Sequence, residues 1–199
     1  MRYFIIAGVS ALLLVSTATV ASAATVTWNT WDTASSGTAG PISVTYNGPA
    51  ELVTAYPTYT PASSFMDGSI VQNAPVAANN ILRITGGTTD LYTLTFSAPV
   101  VNPVFAIWSL GGGNTSASFV FDDTPVIIAG GANAEYGGSS FNLAGNTVSG
   151  IEGNGTLQFT GTFSSISWTN PQYEYWYGFD VGFQSVAAVP EPSTWAMML

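Results

Sequence analysis

Tyr92-Thr93-Leu94-Thr95-Phe96 and, a little further on, Val104-Phe105-Ala106-Ile107-Trp108 decide the fold class. The first stretch alternates large apolar and hydroxyl side chains, so an extended chain has one apolar and one wetted face. The second is apolar at every position and suits a central strand covered on both sides. The same period of two recurs elsewhere. Val26 and Trp28 alternate with threonines, Ala117, Phe119 and Phe121 with serines, and Leu157 and Phe159 with Thr156, Gln158 and Thr160. Ile166 and Trp168 follow the pattern, as do Phe179, Val181 and Phe183, which alternate with Gly178, Asp180 and Gly182. Pro125-Val126-Ile127-Ile128-Ala129 reads as a second, shorter strand apolar on both faces.

Turn signals separate these runs: Asn47-Gly48-Pro49, Asp67-Gly68, Gly86-Gly87, Gly111-Gly112-Gly113-Asn114, Gly130-Gly131, Gly137-Gly138 and Gly153-Asn154-Gly155. No stretch beyond the N-terminus repeats apolar residues at helical spacing, and no repeat of solenoid or propeller length is visible. The expectation is an all-β domain over residues 24–185, an antiparallel two-sheet β-sandwich of jelly-roll type.

Composition narrows the chemistry. The chain has 199 residues, 7% of them charged, with two basic against 11 acidic side chains and neither histidine nor cysteine. Disulfides, zinc–thiolate sites and thiolate nucleophiles are excluded, as is the commonest general base. Lysine is absent too, which removes Schiff-base and P-loop chemistry, and nucleic acid is not an expected partner. No cofactor is expected, and the chain does not read as an enzyme. Edge strands without lysine lack a common guard against pairing, which points to self-association.

The two ends read as addresses. Met1-Arg2 precedes an apolar run from Tyr3 to Val15, and small residues end in Ala21-Ser22-Ala23. This is the pattern of a secretory signal peptide helix over 1–23, with Ala21 and Ala23 flanking cleavage before Ala24. Export leaves Arg83 as the one basic residue of the mature chain. At the other end, 186–199, a linker leads into Val189-Pro190-Glu191-Pro192-Ser193-Thr194-Trp195 and an apolar tail. The two prolines hold the segment extended, Ser193 or Thr194 can cap a helix, and Trp195 suits a membrane interface.

This last stretch closely resembles the PEP-CTERM sorting signal of exported bacterial proteins. The resemblance implies an exosortase and the secretion machinery as partners. It also implies delivery to the cell surface, outer membrane or extracellular matrix of a Gram-negative bacterium. The family's pattern continues into a full hydrophobic helix and an arginine-rich tail, whereas this sequence stops at Leu199 after five apolar residues, so truncation is expected. The stretch from Phe163 to Pro171 running on to Trp176-Tyr177-Gly178-Phe179 is similar to domains found ahead of such signals, which implies a β-sandwich of undefined activity.

Two places could carry binding chemistry. Pro171-Gln172-Tyr173-Glu174-Tyr175-Trp176-Tyr177 is the densest aromatic cluster. Flat rings there could stack on sugars, and a strand would put Tyr173, Tyr175 and Tyr177 on one face and Trp176 on the other. Asp122-Asp123 could offer oxygens to calcium, with Glu152 or Asp90 to complete the shell, or simply be a solvated turn. Glu51, Glu135, Glu152 and Glu174 are glycosidase carboxylates by type alone. The expected role is a structural or adhesive surface protein, with two alternatives: a carbohydrate-binding module of the exopolysaccharide matrix, or a calcium-stabilised surface domain.

Overall fold

The two deciding stretches belong to one strand. In the computed structural model, which describes residues 25–56 and 59–188, a single strand of 23 residues runs from Thr88 to Leu110. The expected signal peptide, with cleavage around Ala21, Ala23 and Ala24, and the sorting motif Val189 to Trp195 lie outside the described residues. In chain order the strands are β1 (Thr27–Trp28), β2 (Thr30–Trp31), β3 (Ser36–Ala39), β4 (Ile42–Asn47), β5 (Glu51–Val53), β6 (Ile81–Ile84) and β7 (Thr88–Leu110). There follow β8 (Ala117–Phe121), β9 (Val126–Gly130), β10 (Asn142–Ala144), β11 (Thr147–Gly150), β12 (Gly153–Gln158), β13 (Thr162–Asn170) and β14 (Tyr177–Val186). Every pairing between them is antiparallel, and the 14 strands among the described residues form one continuous hydrogen-bonded system. Among the described residues the helical elements are two 3₁₀ turns, Ala62–Ser64 and Ala77–Asn79, and none is long and apolar enough to cross a membrane.

β7 serves two groups of strands. Its first half pairs with β4 and β13, and its second half with β14 and β12. Between the halves stand Pro99, Pro103 and Asn102, whose φ is 49°. A proline cannot donate to a ladder, so prolines inside a strand collect at bulges. Here the Asn102 N–H turns to the Gly161 carbonyl (2.7 Å) and the Gly161 N–H to Asn102 Oδ1 (2.8 Å).

Rings from both groups meet in one core. Phe105, on the second half of β7, stacks on Phe179 of β14 at 5.6 Å. It meets Trp168 of β13 edge-on at 5.5 Å and Phe121 of β8 at 5.6 Å. Trp168 in turn stacks on Tyr46 of β4. Burying each such ring stabilises the fold by roughly 1.5–3 kcal/mol, and each ring pair adds about 0.5–1.5 kcal/mol.

Three expectations need correction. The outward face of β14 is not wetted: Gly178, Asp180 and Gly182 are buried. A second apolar layer covers them, made of Val26, Trp28, Tyr59, Phe65, Val71 and Ile81 together with Val104, Ala106 and Trp108. The glycines make room for it, since a Cβ on Gly182 would stand 2.5 Å from Val26 Cγ1 and one on Gly178 2.6 Å from Ile81 Cδ1. The chain between β5 and β6 is pinned over this layer by asparagines. Asn73 both accepts from the Val26 N–H (2.7 Å) and donates to its carbonyl (2.9 Å), while Asn79 and Asn80 donate to the carbonyls of Asn29 and Trp31. Second, the run from Pro125 to Ala129 is not central, because β9 pairs with β12 alone and Val126 is 47% exposed. Third, Gly153-Asn154-Gly155 is no turn but the buried opening of β12, where a Cβ on Gly155 would meet the Ala129 carbonyl at 2.2 Å.

Candidate functional site

The aromatic segment after β13 is not a strand. Residues 171–176 arch over Gly86-Gly87, with the Gly86 N–H on the Glu174 carbonyl (3.0 Å) and the Gly87 N–H on the Asn170 carbonyl (2.9 Å). A Cβ at Gly86 would collide with the Gln172 carbonyl at 2.1 Å, so glycine permits the close approach. The foot of the arch is held by Asn170, which accepts from the Trp168 indole N–H and donates to the Ser118 carbonyl, both at 2.9 Å. An arch breaks the expected alternation. Tyr177 points into the core and leaves the candidate set, whereas Tyr173, Tyr175 and Trp176 come together with Glu174 on one side of a cavity of about 350 Å³.

The rest of the cavity comes from the ends of three other connections. Ser109 is the last residue but one of β7, Gly112, Gly113 and Thr115 belong to the turn after it, Tyr136 projects from the loop between β9 and β10, and Glu152 sits between β11 and β12. Tyr173 and Tyr175 are open to solvent, at 67% and 62% exposed. Trp176 is held more firmly. Its ring lies 5.3 Å from Trp108 and 5.7 Å from Tyr56, and the Arg83 guanidinium covers it at 5.6 Å while ion-paired to Glu51. Tyr136 packs edge-on against Trp108 at 5.2 Å.

The carboxylates are positioned by a polar network centred on Asn154, which is fully buried. Its Oδ1 accepts from the Ser109 N–H (2.8 Å) and from Asn133 Nδ2 (2.7 Å). Its Nδ2 donates to the carbonyls of Glu152 (2.8 Å) and Gly137 (3.2 Å). Asn133 Oδ1 takes the Tyr136 N–H at 2.6 Å, so one asparagine pair ties together the serine, the glutamate and the tyrosine of the cavity. Ser109 Oγ then donates to Glu152 Oε2 at 2.5 Å. Both residues of this contact are in the left-handed region, with φ of 59° for Ser109 and 52° for Glu152. Such backbone costs about 1–3 kcal/mol per non-glycine residue and persists only where its surroundings impose it.

Glu174 is 8% exposed. Its Oε1 accepts the Trp176 N–H at 2.7 Å, and Oε2 has no hydrogen-bond partner among the described residues. Burial pushes its carboxyl above the ordinary range; the Trp176 N–H opposes the shift and the charge on Glu152 adds to it. The other acids lie elsewhere. Asp122 and Asp123 are exposed at the bend after β8, Glu51 is paired with Arg83, and neither Glu135 nor Asp90 lines the cavity. Among the described residues no three acidic side chains stand together as a metal-holding group, Asp122 and Asp123 included.

Sequence reasoning therefore found three of the cavity's four aromatic residues and missed Tyr136, Ser109 and Asn154. Asn154 was visible only as part of a glycine-flanked turn signal, and nothing local marks a buried hub. Fold and site define an antiparallel all-β domain with an open, acidic, aromatic-walled cavity at one end of β7. No family model, no curated protein and no solved structure matches the chain.

Proposed function

We propose that this chain is an exported carbohydrate-binding domain that holds a sugar of the extracellular matrix against Tyr173, Tyr175 and Trp176. One observation carries the reading: the aromatic arch lines a cavity of about 350 Å³ whose polar groups are Glu152, Glu174, Ser109 and Thr115. Sugar sites pair flat apolar walls with a few fixed hydrogen-bonding groups, and a volume of this order suits one or two sugar rings. We infer further that the strand groups hung on the two halves of β7 make the two sheets of a jelly-roll-like sandwich. The adhesive surface role expected from the two ends of the chain and the sugar site are then one function, attachment to matrix polysaccharide. The sorting motif supports surface delivery by an exosortase.

Binding without turnover is part of the proposal: nucleophile–base pairs built on histidine, cysteine or lysine are impossible here, and Glu152 and Glu174 act as binding groups. The test is affinity electrophoresis through gels carrying matrix polysaccharides. Retardation by at least one of them, weakened about tenfold in Tyr175→Ala and more in Trp176→Ala, is the expected result. Tyr175 is largely exposed, so its variant retains the fold. Equal mobility of wild type and Tyr175→Ala in every gel removes the proposal, and shortening of an added oligosaccharide in mass spectra replaces it with an enzyme.

A further inference from the structure

The cavity is charged in one sense only. Its lining includes two carboxylates, Glu152 and Glu174, and no basic side chain. Arg83, the one basic residue among the described residues, is engaged by Glu51 and the Trp176 ring and does not line the cavity. Two acids brought into one partly buried site repel each other, and a folded chain keeps such an arrangement at a cost in stability. The cost here is imposed deliberately by the backbone. Glu152 is held by Ser109 and the Asn154 network in a left-handed conformation, and a Cβ on neighbouring Gly138 would stand 1.8 Å from the Glu152 carbonyl. Glu174, more than nine-tenths buried, has one carboxylate oxygen lacking a donor among the described residues.

A neutral sugar would satisfy hydrogen bonds but leave the repulsion in place. An ammonium group supplies both missing things, positive charge and N–H donors. The exposed rings of Tyr173 and Tyr175 favour the same occupant, because tyrosine faces attract cations. We propose that the cavity selects sugars carrying a primary amine, such as de-N-acetylated hexosamines, with the ammonium group between Glu152 and Glu174. This rests on the carbohydrate reading above and narrows it to one substrate class.

The test is calorimetry of the full chain at about pH 6, where most hexosamine ammonium groups and surface carboxylates are charged. Three probes are titrated: a β-1,4-linked glucosamine hexasaccharide, its fully N-acetylated counterpart and tetramethylammonium chloride. The amino sugar is expected to bind at least about tenfold tighter than the acetylated one, the scale of one charge-assisted contact. Glu152→Gln and Glu174→Gln should each abolish that preference. Asp123→Asn, which removes the same charge at an exposed bend, should keep it. Equal affinity for the two hexasaccharides overturns the amine selection and leaves the sugar site standing. Equal losses in Glu152→Gln and Asp123→Asn overturn it as well, since bulk charge then explains the attraction. Binding of tetramethylammonium with neither sugar bound overturns both readings in favour of a simple cation site.

Discussion

Two groups of buried polar side chains, one on each side of the second half of β7, are built in opposite ways. Around Asn154 all four amide hydrogen-bonding positions are used, and the network ends on cavity residues. On the β14 side, Asp180, Asn29, Tyr59 and Trp31 are buried with Asp180 Oδ2, both Asn29 amide atoms, the Tyr59 hydroxyl and the Trp31 indole N–H lacking partners among the described residues. A satisfied buried network rigidifies, whereas an unsatisfied one subtracts from stability. The comparison teaches that the fold commits its polar order to the cavity. The strained Ser109–Glu152 contact is maintained there, while the far side tolerates a carboxyl with a single ordinary hydrogen bond, from the Val181 N–H at 2.8 Å.

The comparison breaks most visibly at Asn154. Asn154→Ala removes the acceptor of two buried donors and should cost about 3 kcal/mol or more in urea unfolding, with sugar binding lost. A change under about 0.5 kcal/mol would mean that the network is not what holds the site. On the other side the sign reverses. Burial raises the Asp180 carboxyl well above its ordinary range, and the Asp180 charge in turn adds to the burial that raises the Tyr59 hydroxyl. The Val181 N–H, donated to Asp180 Oδ1, pulls the other way without cancelling the effect of burial. The folded state therefore holds this proton more tightly than the unfolded chain. Its contribution is fully present below the unfolded pKa, near 4, and is lost as pH rises through the folded value. Asp180→Asn should accordingly raise Tm by a few degrees at pH near 8, the gap narrowing towards pH near 4. Thermal melts across that range that stay parallel would refute the assignment.

Two smaller changes sharpen the contrast. A Cβ at Gly112 would lie 3.0 Å from Glu152 Oε1 without a backbone penalty. Gly112→Ala should therefore weaken ligand binding several-fold while moving the urea midpoint little, which would separate cavity shape from fold stability. Arg83→Ala removes an ion pair with Glu51, itself largely exposed, and the cation over Trp176. The expected loss is at most about 1 kcal/mol of stability, with a few-fold weaker binding if Arg83 steadies the ring.

How far the sequence went is clearest at three places. Alternation at 92–96 and the apolar run at 104–108 identified core strands correctly, because period-two burial is a local consequence of the pleat. That both lie in one bent strand was not readable, since Pro99 and Pro103 look like breakers until Asn102 and Gly161 exchange hydrogen bonds across the bulge. Alternation failed at Tyr173–Tyr177 because Glu174 captures the Trp176 N–H and the arch bonds to Gly86 and Gly87, partners some 85 residues away. It failed at Asp180 because polar-out assumes water outside, and here the chain between β5 and β6 lies there instead.

Residue chemistry and period thus determined, without any coordinates, that this is an antiparallel β protein, acidic and stripped of the usual nucleophiles and bases. They also marked the aromatic cluster as the place to look. Only the tertiary structure decided which of those rings face solvent, and that Glu152 and Glu174 stand on one cavity held by a buried asparagine. The reason is physical. Burial along a strand is set by neighbours two residues apart, but a site is assembled from turns distant in sequence, whose meeting depends on the packing of the whole chain.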